Sequence, residues 1–223
     1  MNSTFKIYNK EGEDLLILLY HGVTNIKNRG IENYNGKHIY ENIFYKHLSL
    51  LKKLNFNFLS LDDIVDIHIN KKKFPKKSVS ITFDDGFLNN FLVACPILES
   101  FQIPCIFYVS PGMIGTKDMF WVDKVQACID KSKVDIINIK LDKYYKFSLK
   151  NKKDKINATE VIKKFCKQIH YDKKDLILNE LSSITKVNPS SDISENYKLM
   201  KWNHLIEINQ NKLFTIGGHN YFH

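Results

Sequence analysis

Short apolar runs alternate with amphipathic segments along this chain of 223 residues, and the alternation constrains its fold more than any other feature. Each run has the length and the β-branched or aromatic content of a strand that is buried on both faces. The segments between the runs place apolar residues at helical spacing. Because strands that alternate with helices are typical of parallel sheets with helical crossovers, the sequence predicts an α/β sheet or barrel. The predicted strands are residues 14–20, 57–59, 78–83, 104–109 and 213–216.

Helix positions follow from periodicity and from capping signals. Apolar residues repeat at helical spacing in residues 41–54, and Ser60 with Asp63 resembles a capping box that opens the next helix. Pro96 predicts a kink or a restart in the helix that carries it. Residues 23–40, which are rich in Asn and Gly, are predicted to form a loop. Further helices are predicted at 121–130, 159–169, 173–183 and 200–208, with a hairpin at 134–149.

The formal net charge of +9 is concentrated in one segment, because residues 131–180 hold 14 Lys against 7 acidic residues. Arg29 is the only arginine in the sequence. Proteins that bind phosphates and bases favour the bidentate guanidinium of Arg, so an excess made of Lys argues against a nucleic-acid partner. We therefore interpret residues 121–200 as a Lys-rich helical insertion in a single domain, residues 1–223.

Composition places the chain among globular proteins, since 43% of its residues are hydrophobic and 13% are aromatic. No apolar run reaches membrane-spanning length, and residues 1–20 lack the pattern of a signal peptide. We therefore expect a cytoplasmic protein without a membrane span. The four cysteines have no metal-binding spacing and lie among apolar residues, which predicts reduced, buried thiols.

Two adjacent carboxylates, Asp84 and Asp85, follow the apolar strand at 78–83 and precede Gly86. α/β proteins keep their chemistry at the ends of such strands. Two neighbouring carboxylates are not both easily ionised without a partner, and a metal ion that binds one leaves the other to accept a proton. Either carboxylate fits either role on this argument. An ordinary turn, in which Gly86 takes a positive φ, is the alternative interpretation.

Histidines follow two other predicted strands. His21 comes directly after the strand at 14–20, where it is either an additional site residue or a hydrogen-bonded structural group. His219 and His223 follow the strand at 213–216 and are four residues apart, so they lie on one face if that segment is helical. This is the spacing with which two imidazoles bind one ion.

In a parallel α/β barrel the strand ends of one sense open on the same face, so these carboxylates and imidazoles are expected to converge. Two His and one Asp make a three-ligand face on a divalent metal, whose open positions hold water and a substrate oxygen. The remaining Asp is then placed to remove a proton from the water. The pattern therefore predicts metal-assisted hydrolysis of an acyl group.

Four motifs together resemble the polysaccharide deacetylases with a NodB-like domain, carbohydrate esterase family 4. The motifs are TFDDG at 82–86, YHGV at 20–23, W-x-D at 121–123 and GGHxxxH at 217–223, and the resemblance covers most of residues 14–126 and 198–223. TFDDG with a downstream HxxxH is the specific combination, and YHGV is supportive. The resemblance implies a distorted (β/α) barrel that removes acetyl groups from N- or O-acetylated sugars of a glycan.

The resemblance also implies roles for single residues. Asp84 corresponds to the general base, and Asp85, His219 and His223 correspond to the ligands of a divalent metal, usually zinc. The expected enzyme is a carbohydrate deacetylase that acts on amide bonds, with an acetylated glycan as its partner. Where this chain has Asn220, the family usually has Ser or Thr, and we expect the amide to be tolerated.

The later motifs of the family supply an arginine, residues of the substrate groove and a histidine that acts as general acid, and they have no counterpart in this sequence. Only five main strands precede His223, so we expect a barrel that is incomplete at its C-terminal end, as in a fragment or a truncated product. The competing hypothesis is an inactive truncated fragment that acts as a glycan-binding or metal-binding module.

Overall fold

The computed structural model describes residues 4–7, 15–28 and 30–222. The chain divides into two compact units, and each contains a hydrophobic core of its own. The first unit comprises the described parts of residues 1–26, 35–116 and 198–223, and the second comprises those of 27–34 and 117–197.

Strands and helices alternate through most of the described residues. In chain order the strands are β1 (Thr4–Ile7), β2 (Leu15–Tyr20), β3 (Gly22–Thr24), β4 (His38–Tyr40), β5 (Asn57–Phe58), β6 (Ser78–Phe83), β7 (Cys105–Val109), β8 (Ile136–Lys140), β9 (Tyr144–Ser148) and β10 (Phe214–Gly218). The α-helices are α1 (Glu41–Lys53), α2 (Leu61–Ile69), α3 (Cys95–Ser100), α4 (Trp121–Asp130), α5 (Lys152–Cys166), α6 (Tyr171–Thr185) and α7 (Trp202–Gln210). Within the part of the chain that is described, none of these helices has the length and apolar character needed to cross a bilayer.

A mixed sheet runs through the first unit with the strand order β1-β2-β6-β7-β10. Strands β2, β6, β7 and β10 are parallel, β1 is antiparallel to β2, and β5 pairs with the beginning of β6. The predicted α/β architecture with parallel strands is therefore confirmed. Among the described residues the sheet is open, with β1 and β10 at its edges, so closure into a barrel stays a prediction.

Aromatic side chains hold the parallel strands together on one face of the sheet. The rings of Tyr20, Phe83, Phe107 and Phe214 form a row across β2, β6, β7 and β10, with successive centroids 5.4, 5.5 and 5.5 Å apart. Phe44 of α1 packs edge-on against this row. Because burial of one such side chain contributes about 1.5–3 kcal/mol, the row stabilises both the sheet and its register.

The predicted loop at 23–40 is wrong at both of its ends. Residues Gly22–Thr24 form β3 and residues His38–Tyr40 form β4, and the two strands pair in parallel. Three-residue strands contain too few residues for a periodic pattern to be visible in the sequence. The helix that follows begins at Glu41, as predicted.

Two local features of the helices are confirmed. The backbone N–H of Asp63 donates to Ser60 Oγ at 3.1 Å and the N–H of Ser60 donates to Asp63 Oδ2 at 2.9 Å, which makes a capping box at the start of α2. Pro96 follows a π-helical segment, Asn90–Ala94, and α3 restarts around it. The change of helix type occurs next to Pro96, because proline has no backbone N–H with which to donate a helical hydrogen bond.

The second unit contains α4, the antiparallel pair β8 and β9, and the helices α5 and α6. Helix α4 and the hairpin lie where the sequence predicts them. The predicted start of α5 is wrong, because the helix begins at Lys152 instead of residue 159. Asn151 sets this boundary, since its Oδ1 accepts a hydrogen bond from the N–H of Asp154 at 2.9 Å.

All four cysteines are buried and free, as their apolar surroundings predict. Cys95 and Cys105 belong to the core of the first unit, and Cys128 and Cys166 to that of the second. Burial raises the pKa of the Cys95 thiol to about 12 and the pKa values of Cys128 and Cys166 to about 11. The thiols are therefore uncharged at neutral pH and contribute to packing.

Candidate active site

The adjacent carboxylates lie at the carboxyl end of β6. Asp84 continues the ladder between β2 and β6, because its N–H donates to the carbonyl oxygen of Tyr20 at 3.0 Å. Asp84 is 9% exposed and Asp85 is 2% exposed. Two buried carboxyl groups side by side are not both easily ionised unless a cation is close. Their burial therefore favours a cation at this edge of the sheet.

A left-handed turn gives the acid pair its geometry. Asp85 has φ 78° and Gly86 has φ 87°, and positive φ at a residue other than glycine is uncommon and concentrates at functional sites. The conformation favours glycine, and a β-carbon on Gly86 would be crowded, since it would lie 3.0 Å from Ile114 Cδ1 and 3.2 Å from Val109 Cγ1. The functional site and the ordinary turn, which are the two interpretations of the acid pair in the sequence, are therefore compatible, because the acids lie on a turn and the turn buries them.

A segment just before α7 fixes the residues that follow the acid pair. The N–H of Met200 donates to the carbonyl oxygen of Gly86 at 3.0 Å, and the N–H of Leu88 donates to the carbonyl oxygen of Lys198 at 2.8 Å. The residues between these bonds form an antiparallel bridge. The turn is thus held by residues far from it in sequence, and no local pattern in the sequence indicates this contact.

His219 lies on the same edge of the sheet as the acid pair. Its N–H extends the ladder between β7 and β10 by donating to the carbonyl oxygen of Val109 at 2.8 Å. The N–H of Ser110 in turn donates to the carbonyl oxygen of Asp85 at 3.5 Å. The carboxyl end of β7 therefore connects the backbone of His219 with that of Asp85, while the His219 side chain is exposed.

The pKa of Asp84 reports the proximity of the three groups. Burial raises this pKa most, the charge of His219 lowers it, and the charge of Asp85 raises it. Asp84 therefore lies within electrostatic reach of both Asp85 and His219. A carboxyl group with a raised pKa is a better proton acceptor than an ordinary surface carboxylate, which suits Asp84 to the role of base.

The predicted metal ligands are placed only in part. Asp85 and His219 are described, whereas His223 lies outside the described residues. Residues 219–222 do not adopt the helical conformation under which the two imidazoles would share one face, and the N–H of Gly112 donates to the carbonyl oxygen of Tyr221 at 3.0 Å. Among the described residues, no three His, Cys, Asp or Glu side chains lie together in a way that could hold a metal ion.

His21 lies at the predicted strand end, half-buried, directly after β2. Burial, followed by the charges of Lys37 and His21, lowers the pKa of His38 well below its usual range. His38 Nδ1 lies 3.0 Å from Asn89 Nδ2, and Asn89 belongs to the segment that follows the acid pair. The structure therefore places His21 near the buried pair of His38 and Asn89.

Tyr108 is a residue of this edge that the sequence does not single out. It lies on β7 and is half-buried, and burial together with the charge of Asp84 raises the pKa of Tyr108. Its phenol is therefore near Asp84. The sequence signal for Tyr108 is a hydroxyl-bearing ring in an otherwise apolar strand. Because tyrosine is common in strands, this signal does not distinguish a site residue from a core residue.

Comparison with known proteins finds deacetylases. The chain is 30% identical over 95 residues to the poly-beta-1,6-N-acetyl-D-glucosamine N-deacetylase of Staphylococcus aureus strain MSSA476, a match that covers 43% of this chain and 31% of that protein. The protein of the same name from strain MRSA252 gives the same values, so the chain spans about a third of the length of these relatives. No family model matches the chain.

A solved structure has the same fold at lower identity. IcaB from Ammonifex degensii superposes with a TM-score of 0.53 and 18% sequence identity, covering 94% of this chain and 54% of that chain. At this identity the likeness concerns the fold alone. The resemblance to polysaccharide deacetylases that the motifs predict is confirmed, at low sequence identity.

Proposed function

We propose that this chain, which resembles the polysaccharide deacetylases in its motifs and fold, hydrolyses acetamido groups on the N-acetylated sugars of a glycan. The observation that carries the proposal is the proximity of Asp84, Asp85 and His219 at the carboxyl end of the parallel sheet. The name of the Staphylococcus aureus relative, an N-deacetylase, supports the amide as the bond that is broken. An O-acetyl ester is the other substrate that the motifs allow.

We propose further that Asp85, His219 and His223 hold a divalent metal, most simply zinc. A carboxylate and an imidazole are donors that zinc accepts, and the described residues bring one of each close to Asp84. His223 lies outside the described residues and joins this set through its position in the sequence. When bound, the metal would polarise the acyl oxygen and acidify a water molecule.

Asp84 is the general base of the proposed reaction. Its carboxylate takes a proton from a water molecule while the water oxygen bonds to the acyl carbon and the π electrons of the carbonyl move to the acyl oxygen. The oxyanion then re-forms the carbonyl as the carbon–nitrogen bond breaks, Asp84 gives the proton it took from water to the departing sugar amine, and the second product is acetic acid, which ionises to acetate. The raised pKa that burial gives Asp84 strengthens it as a proton acceptor.

Asp84→Asn removes the proton acceptor with little change of shape. We expect acetate release from N-acetylglucosamine oligomers to fall about 100- to 10,000-fold, with the metal content unchanged. Asp62→Asn, in the exposed acid pair at the start of α2, is the matched control and should keep the parent rate. An Asp84→Asn variant as active as the parent would exclude Asp84 as base. A parent that binds the oligomer without releasing acetate would favour the binding module.

Asp85→Asn tests the metal proposal separately from turnover. Asn tolerates the left-handed conformation of Asp85, so the change removes a charge without straining the turn. We expect the zinc content after dialysis, measured by elemental analysis, to fall at least about 10-fold, because even the loss of a group that only supports a ligand has an effect of that size. Asp84→Asn should retain its zinc. Equal zinc in Asp85→Asn and the parent would contradict the ligand assignment.

A further inference from the structure

Tyr108 lies on the strand between the acid pair and the histidine. Phe83 of β6 pairs with Phe107 of β7, so Asp84 and Tyr108 are the next two residues in this register. On its other side Tyr108 pairs with Gly217 of β10, two residues before His219. Because neighbouring strands are about 4.8 Å apart, Tyr108 is flanked directly by the strands that carry both groups.

The Tyr108 ring lies over Gly217, a position at which β10 has no side chain. A β-carbon on Gly217 would lie 2.7 Å from both Cδ1 and Cε1 of Tyr108, so the ring covers this glycine. Alternate residues of a strand share a face, and His219 is the next residue along the chain in phase with Gly217. The neighbouring Phe107 and Phe214 pack together in the aromatic row on the opposite face. Packing therefore fixes the ring on the side of the candidate site.

The hydroxyl of Tyr108 is suited to donate a hydrogen bond to a ligand. Burial and the charge of Asp84 raise the pKa of Tyr108, so the phenol stays protonated at neutral pH. Its side chain is partly exposed, which gives a substrate access to it. Tyr20 at the end of β2 is buried instead, and its hydroxyl lies 3.2 Å from His47 Nδ1.

We infer that the Tyr108 hydroxyl donates a hydrogen bond to the acyl oxygen of the acetamido group as negative charge develops on that oxygen. The inference rests on the proposed function, since it concerns the same reaction. When the water oxygen bonds to the acyl carbon, the π electrons move onto the acyl oxygen, and Tyr108 keeps its proton throughout. A donor that packing holds in place before the reaction needs no reorganisation, which is why such donors stabilise transition states.

Tyr108→Phe tests this role, because it keeps the ring over Gly217 and removes only the hydroxyl. We expect kcat for acetate release to fall about 100- to 1,000-fold while KM for the oligomer changes less than about twofold, since the bond strengthens in the transition state. Tyr20→Phe also removes a hydroxyl from a strand end, on the opposite face, and should keep the parent kcat. A parent kcat in Tyr108→Phe, or a change confined to KM, overturns the inference.

A measurement without turnover separates this inference from the proposed function. Tyrosine is labelled with carbon-13 at Cζ, and the Tyr108 resonance is identified as the one absent from Tyr108→Phe. Adding N-acetylglucosamine oligomer to Asp84→Asn should shift the Tyr108 resonance and leave that of Tyr20 in place. An unshifted Tyr108 resonance overturns the inference at any parent rate. A shifted resonance in a chain whose parent form releases no acetate contradicts only the proposed function.

Discussion

Backbone conformation at single residues determines the geometry of the candidate site. Asp85 and Gly86 are consecutive residues with positive φ, and Gly86 is also enclosed by Ile114 and Val109. A glycine after two acids predicts the turn, but it does not predict that Asp85 itself is left-handed. Asp is compatible with ordinary turn conformations as well, so its φ depends on how the rest of the chain holds the turn.

Gly86→Ala should lower the free energy of unfolding by about 2 kcal/mol or more, because a left-handed conformation and a crowded β-carbon both act on the new side chain. Gly36→Ala is the matched control, since Gly36 has φ 69° and a β-carbon added there would meet open space, with nothing within 4 Å. Gly36→Ala should lower the free energy of unfolding only by the cost of the left-handed conformation, about 1 kcal/mol. Urea unfolding followed by circular dichroism measures both. An equal loss of unfolding free energy in the two variants would mean that crowding of the β-carbon at Gly86 has no effect.

At the scale of elements, the sequence predicts strands and helices that are long enough to show a pattern. Strands β2, β6, β7 and β10 are parallel members of one sheet. Strands β2 and β7 appear as continuous apolar runs, whereas β6 alternates Val79, Ile81 and Phe83 with serine and threonine. Strands β3 and β4 have three residues each and show no periodicity. The capping box of α2 indicates where that helix begins, whereas the apolar pattern of α5 begins only after its cap at Asn151 and so predicts a later start.

The part of the candidate site that could be predicted consists of residues that come directly after a strand. Asp84, Asp85 and His219 each come after an apolar run, so a shared strand edge is enough to bring them together. Tyr108 could not be predicted, because its role depends on the position of β7 between β6 and β10. The conformation after His219 depends on a backbone hydrogen bond to the loop after β7, which local sequence does not encode.

Asn151→Ala should remove the cap that starts α5. The N–H of Asp154 loses its acceptor at 2.9 Å, and the loss of a helix cap lowers the free energy of unfolding by about 1 kcal/mol. We also expect faster hydrogen exchange of the backbone amides in the first turn of α5. Lys150→Ala, an exposed neighbour outside the helix, should change neither quantity. Unchanged exchange in Asn151→Ala would mean that another contact sets the start of α5.

At the scale of the whole molecule, the two units have separate hydrophobic cores. The core of the first unit is built on the parallel sheet and includes Leu98 of α3. The core of the second is built on its helices and hairpin and includes Leu181 of α6. Both leucines are fully buried, at 0% exposure, and each belongs to the cluster of its own unit alone. We therefore expect each core to respond to substitution within its own unit.

Leu181→Ala and Leu98→Ala form a matched pair for this expectation. Each leaves a cavity that should lower local stability by about 2–5 kcal/mol. For Leu181→Ala, hydrogen exchange followed by mass spectrometry should show faster exchange in α4, α5 and α6 and unchanged exchange in β2, β6 and β7. Leu98→Ala should give the reverse pattern. Faster exchange throughout the chain in both variants would mean that the two cores unfold as one cooperative unit, in which case substitutions in the Lys-rich segment would also alter the candidate site.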